Sequence, residues 1–151
     1  MGWFNMSKQE YGDFVNQRSP SSKLLPDTLA AFAIGGLICC VGQALLLLYQ
    51  SLGMPKELAM TLESATLVFL GALLTGLGVY GRLAKVGGAG TLVPITGFAN
   101  SVVSPALEFK TEGFVTGTGA KMFVIAGPVI VYGISASVIY GVIYWLIETV
   151  L

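Results

Sequence analysis

The chain has 151 residues, 54% of them hydrophobic, and its eight basic and eight acidic side chains leave no net charge. A mean hydropathy of +0.78 is too high for a water-soluble domain, and the few basic residues form no cluster that would bind nucleic acid. With no His and two Cys, the sequence offers no thiolate or imidazole metal site, no His-based catalytic triad and no cofactor motif. We therefore expect a membrane protein that is not an enzyme.

The first 27 residues are predicted to form a polar cytoplasmic tail. Charged and aromatic side chains alternate there, which favours a short interfacial helix from Phe4 to Val15. The stretch Ser19–Ser22, with Pro20, then predicts a linker. The apolar segment that follows is too long for a secretory signal, and no cleavage site closes it.

Four uncharged segments of at least eighteen residues follow the tail, at 28–55, 64–81, 86–107 and 122–147. A helix that crosses the hydrocarbon layer needs about 20 such residues. We predict an all-α integral membrane protein, a small polytopic helix bundle, with a membrane domain at 28–151. Its spans are placed at about 28–52, 64–81 and 122–147, with a broken segment at 86–120.

The uncharged run from Val86 to Leu107 differs from the others because glycine and proline interrupt it. In lipid every backbone N–H and C=O must be paired, so irregular chain survives only where protein or a water-filled cavity satisfies it. The run therefore predicts a broken or re-entrant segment that lines a pathway or binding site. The interrupting residues are Gly87, Gly88, Gly90, Pro94, Gly97 and Pro105.

Small residues recur at helical spacing in each predicted span. Such stripes let helix backbones approach closely, which matters because lipid provides no hydrophobic drive for helix association. We expect a tight bundle or a homo- or hetero-oligomer. The stripes are Ala31, Gly35, Cys39 and Gly42; Gly71, Thr75 and Gly78; and Gly133, Ser137 and Gly141.

The distribution of Lys and Arg predicts a cytoplasmic N-terminus, because these residues concentrate in the tail and after the second span. The same rule leaves two topologies open for the broken segment. If it re-enters, Lys110 and Lys121 remain inside and the C-terminus lies outside. If it crosses, the reverse holds.

Polar residues in and after the broken segment are candidates for a transport path. If the chain after Pro94 is helical, Thr96, Asn100 and Ser104 share one face, which would hydrogen-bond either a polar solute or a neighbouring helix. Glu108 and Glu112 are one helical turn apart and could pair with a lysine; they mark either the mouth of a path or an interfacial polar loop. The full candidate set is Pro94, Thr96, Gly97, Asn100, Ser101, Ser104, Glu108, Lys110, Glu112 and Lys121.

Three motifs resemble the SpoVA membrane proteins of spore-forming Firmicutes, in particular the SpoVAC/SpoVAEb family. They are GGLICCVGQ at 35–43, GALLTGLGVYGRL at 71–83 and GAGTLVPITGFANSVVSPALEFKTEGFVTGTGAKMF at 88–123. The resemblance covers roughly Leu29 to the C-terminus, and PxTGFANS…ALExKxEG is its specific core. The polar tail in front of the first span favours the AC branch over the shorter AEb branch.

The resemblance implies a channel or permease subunit that moves dipicolinic acid, with calcium, across the inner forespore and spore membrane, during sporulation and at germination. It also implies tension gating and two partners, the membrane subunit AEb and the soluble subunit AD. It establishes no residue-level site. The alternative is a non-conducting scaffold that anchors a soluble partner, for which continuous helices would suffice.

Overall fold

The computed structural model describes residues 7–18 and 23–150, and within these ranges all regular structure is helical. Helix α1 spans Lys8–Arg18. Residues 4–6 of the expected interfacial helix and the linker Ser19–Ser22 lie outside the described residues. A capping box begins α1, because the Ser7 N–H donates to Glu10 Oε2 at 2.8 Å and the Glu10 N–H donates to Ser7 Oγ at 3.3 Å. These bonds hold the pKa of the Glu10 carboxyl below its ordinary value.

Two long apolar helices, α2 (Leu24–Ser51) and α3 (Lys56–Gly76), form an antiparallel hairpin. A Schellman motif ends α2: the Met54 N–H donates to the Tyr49 carbonyl at 3.2 Å and the Gly53 N–H to the Gln50 carbonyl at 3.0 Å. The Tyr49 hydroxyl also hydrogen-bonds Thr66 across the hairpin at 2.7 Å. Both helices are long and apolar enough to cross a membrane.

Helix α3 lies earlier in the chain than the predicted span 64–81. Charged residues in its first two turns, Lys56 and Glu63 among them, do not prevent helix formation, so the helix begins before the uncharged run. It ends because Gly78 adopts a left-handed conformation, φ +71°, and its N–H donates to the Thr75 carbonyl at 3.0 Å. The rest of the predicted span belongs to a separate helix, α4, Val79–Gly87.

The broken segment consists of short helical pieces. After α4 come a 3-10 turn, Gly88–Leu92, and helix α5, Pro94–Glu108, which begins with proline at a first-turn position where no N–H is needed. A second 3-10 turn, Lys110–Glu112, and a π-helix, Phe114–Gly119, follow. Neither α4, with 9 residues, nor α5, with 15, is long enough to span the bilayer.

The contacts of α5 with α3 fit the re-entrant topology. A Cβ on Gly71 would lie 3.1 Å from the Thr96 carbonyl oxygen, and Thr75, one turn further along α3, bonds Asn100, one turn further along α5. The two helices therefore run in the same direction. Since Gly71 lies well inside α3, the chain reaches the interior of the bundle before α5 begins and returns toward the end where α3 finishes.

The 3-10 turn is inserted against α2, where Gly90 lies so close to the backbone of Ala31 that a Cβ on Gly90 would overlap the Ala31 carbonyl oxygen. A Cβ on Gly35 would meet the Gly90 oxygen at 3.1 Å. The first part of the α2 small-residue stripe thus accommodates the re-entrant segment, which explains why small residues are needed there.

Helix α6, Phe123–Val150, packs mainly on α5 through its first turns, where Ala126 is fully buried. Every described side chain from 128 to 149 is exposed. Together with the preceding π-helix it forms the third candidate membrane span, Phe114–Thr149. The predicted all-α membrane bundle with one interrupted segment is confirmed, and it contains three helices that are long and apolar enough to cross a membrane.

Candidate transport site around the re-entrant segment

A buried tyrosine holds the start of α5 in place. Tyr80 is 2% exposed, and its hydroxyl donates to the Thr91 carbonyl at 2.8 Å and hydrogen-bonds the Thr96 hydroxyl at 3.1 Å. The Thr91 hydroxyl in turn donates to the Gly88 carbonyl at 2.9 Å. This network pairs polar groups of a non-α-helical turn inside the bundle, as membrane burial requires. Thr96 therefore has an internal partner.

Asn100 lies at the α3–α5 contact. The Thr75 hydroxyl lies 2.6 Å from the Gly71 carbonyl oxygen and 3.0 Å from Asn100 Oδ1, with one proton to share between them. Thr96 and Asn100 thus face neighbouring elements of the same chain. Ser104, expected on the same face, is exposed.

An apolar groove of about 380 Å³ separates α5 from α6. Three of the candidate residues, Pro94, Gly97 and Ser101, line it. Of the described residues that line the groove, only Ser101 has a hydroxyl, which donates to the Phe98 carbonyl at 2.8 Å. The lining residues are Leu92, Pro94, Gly97, Phe98, Ser101, Ile125 and Val129. The groove offers space but few polar partners.

The N-terminus of α5 lies at one end of this groove. The first N–H groups of any helix lack partners one turn back, and the aligned peptide dipoles give that end a partial positive charge. Here the Gly97 N–H donates to the Val93 carbonyl at 2.8 Å, and Pro94 has no N–H. A half-helix that begins inside the bundle is the arrangement by which transport folds attract anionic groups.

The charged candidates lie at the other end of α5. Lys121 places its ammonium 4.8 Å from the centre of the Phe109 ring and lines a small cavity of about 200 Å³ with Glu108. Lys110 and Glu112 are exposed on the 3-10 turn. Because α5 ends at Glu108, the two glutamates belong to different elements instead of sharing one helix. Across the described ranges, no lysine or arginine forms an ion pair with either of them within 4.0 Å.

Sequence reasoning missed Tyr80, Thr75 as a partner of Asn100, and Glu63. Tyr80 follows a glycine turn in an apolar run, so only its burial against the 3-10 turn shows its role. Glu63 immediately precedes the uncharged run that begins at Ser64. Helix α3 continues from Glu63 into this uncharged run. The position of Glu63 directly before the run is therefore the sequence signal that could have identified it.

Comparison with known proteins supports the sequence motifs. No solved structure matches the chain significantly. The chain is similar to stage V sporulation protein AC of Bacillus subtilis (strain 168), with 42% identity over 142 residues that cover 93% of this chain and 95% of the relative. The profile of the SpoVAC/SpoVAEB sporulation membrane proteins matches residues 27–143. The chain therefore belongs to the SpoVAC/SpoVAEB family of sporulation membrane proteins.

Proposed function

We propose that this protein is a channel or permease subunit that moves dipicolinic acid, with calcium, across the inner spore membrane. The observation that carries the proposal is the re-entrant segment, with the N-terminus of α5 inside the bundle beside the α5–α6 groove. A protein that only anchors a partner has no need of interrupted membrane helices. Family membership supports a role in sporulation.

The groove between α5 and α6 is the path that we propose. Its apolar lining would exclude water in the closed state, as a hydrophobic constriction does. Helix α6 is held mainly through α5, so membrane tension that tilts α6 would widen the groove without breaking the α2–α3 hairpin. The positive end of α5 would then face a passing dianion.

The charged cluster after α5 would form the mouth of this path. Lys110 and Lys121 would attract the dipicolinate carboxylates, while Glu108 and Glu112 would attract the accompanying cation. Four charges cannot neutralise a stream of such solutes, so several copies of the chain or partner subunits must complete the pore. We propose the AEb and AD subunits as partners, a cytoplasmic N-terminus and, given the re-entrant path of the chain, a C-terminus on the opposite side.

Efflux of dipicolinate from liposomes under osmotic down-shock tests the proposal, with the chain alone and with the AEb and AD subunits. Flux from the chain alone establishes a self-sufficient pore, and flux only with partners makes it one wall of a composite channel. No flux from a verified complete complex supports the scaffold alternative and refutes the proposal.

Two sets of variants locate the path within a conducting complex. Lys110→Ala combined with Lys121→Ala should reduce dipicolinate flux several-fold, because the attracting charge at the mouth is lost. Ser101→Leu should block flux, because Ser101 lines the groove and the larger side chain would fill it. If both leave flux unchanged while the complex assembles normally, the path does not follow the α5–α6 groove.

A further inference from the structure

A carboxylate lies partway along α3 at the edge of a second cleft, between α2 and α3. Glu63 is partly buried, seven residues after the first residue of the helix, Lys56. At about 1.5 Å per residue the carboxylate is roughly 10 Å from that end. A charge at this depth of a spanning helix is costly unless it meets water or an opposite charge.

Helix α2 leaves space for this carboxylate at a glycine. A Cβ on Gly42 would lie 2.8 Å from Glu63 Oε1 and 3.3 Å from Leu67 Cδ1, so any larger residue would displace the Glu63 side chain. Gly42 itself is buried. Gly42 therefore leaves room both for the Glu63 carboxylate and for the close packing of α2 on α3.

The Glu63 charge has no cationic partner among residues 7–18 and 23–150, where no Lys or Arg nitrogen approaches its carboxylate within 4.0 Å. Within the described residues the carboxylate has one hydrogen bond, from the Ser64 hydroxyl at 3.4 Å, which is long for an O–H donor. Beside it lies an open cleft of about 500 Å³, whose polar lining includes Gln43, Lys56 and Ser64.

The donors in this cleft identify the class of ligand. A carboxylate, an amide carbonyl and a hydroxyl are hard oxygen donors, which suit Mg²⁺ and Ca²⁺ and are poor ligands for soft metals. The cleft is also large enough for an ion that keeps most of its hydration shell, since a water molecule takes about 30 Å³ of liquid volume. We propose that Glu63, with Gln43 and Ser64, forms a binding site for a hydrated divalent cation.

The Glu63 site would bind such an ion with low affinity. In the described part of the chain, no group of three acidic, histidine or cysteine side chains could enclose a metal. Calcium sites with few charged ligands bind in the roughly millimolar range. The site is separate from the α5–α6 groove and does not depend on which solute passes there.

An NMR titration of the full-length protein in detergent with CaCl₂, at constant ionic strength, tests this site. The backbone amides of Gln43 and Ser64 should shift and saturate at roughly millimolar calcium. Glu63→Gln keeps the shape of the side chain and should weaken binding at least ten-fold. Glu57→Gln removes an exposed carboxylate from the first turn of the same helix and should leave binding unchanged.

A second variant retains the carboxylate. Gly42→Ala should also weaken binding, because the new methyl group displaces Glu63 Oε1, and the same spectra report whether the fold is kept. Equal binding by wild type and Glu63→Gln overturns the proposal. So does a wild type that binds no calcium while Lys56→Gln binds it, since Lys56 would then be the true counter-ion. The titration requires no transport, so its failure is distinguishable from failure of the proposed channel function.

Discussion

Replacing Tyr80 with phenylalanine should destabilise the protein by releasing the start of α5. The variant keeps the ring but removes a hydroxyl that bonds both Thr91 and Thr96, which are 4% and 6% exposed. A buried polar group left without a partner costs about 1–3 kcal/mol in soluble proteins, and hydrogen bonds within membranes average nearer the low end. We therefore expect a loss of about 1–2 kcal/mol in the free energy of unfolding.

Thermal unfolding in detergent, followed by size-exclusion fluorescence, measures this loss. For a chain of this size, 1 kcal/mol corresponds to roughly 2–4 °C in Tm, so Tyr80→Phe should lower Tm by several degrees. Tyr140→Phe is the matched control, because Tyr140 is 69% exposed and its hydroxyl has no hydrogen bond in the described structure. Adding Thr96→Val to Tyr80→Phe should cost less than the sum of the two changes. Equal Tm values for the two Tyr→Phe variants would refute the reasoning.

Two further changes probe other contacts. Gly90→Ala should prevent stable packing of the 3-10 turn on α2 and lower Tm strongly, whereas Gly81→Ala, which meets no atom within 4 Å, should not; similar Tm values for both would contradict the close approach. The pKa of Glu10 is lower in the folded tail than in the unfolded one, so the capping box stabilises α1 above the ordinary pKa of 4.5 and this contribution is lost as pH falls through the folded-state pKa. An NMR titration of the Glu10 carboxyl should show its pKa returning part of the way toward 4.5 in Ser7→Ala, because the Ser7 hydroxyl is lost while the Ser7 N–H still donates to the carboxylate. An unchanged titration curve would contradict the role of the hydroxyl in the capping box.

The sequence predicts the spans better than the path between them. Uncharged length and the Gly/Pro interruptions are local properties, so they reveal an all-α bundle with an irregular segment at 86–120. The start of α3 at Lys56 was missed because charges are tolerated near the end of a membrane helix. Its end at Gly78 depends on one left-handed residue within an apolar run.

The choice between a re-entrant and a crossing segment depends on contacts distant in sequence. The pairing of Gly71 with Thr96 and of Thr75 with Asn100 determines the direction of α5, and nothing in the sequence near Pro94 specifies it. The candidate residues themselves could be identified from residue type alone, as polar, charged, glycine or proline residues in and after an uncharged run. Which of them have partners within the chain depends on tertiary neighbours such as Tyr80, whose importance no local pattern indicates.

The position of the 3-10 turn against α2 implies an order of assembly in the membrane. The α2–α3 hairpin pairs its own backbone and contains local contacts, so it can insert as a unit. The turn beginning at Gly88 cannot, since it packs on Ala31 of α2 and its polar groups are paired through a tyrosine that follows α3. During synthesis the hairpin must therefore insert first, and the re-entrant segment packs beside it afterwards. A change that disrupts the packing of α2 on α3 would therefore also prevent the re-entrant segment from folding.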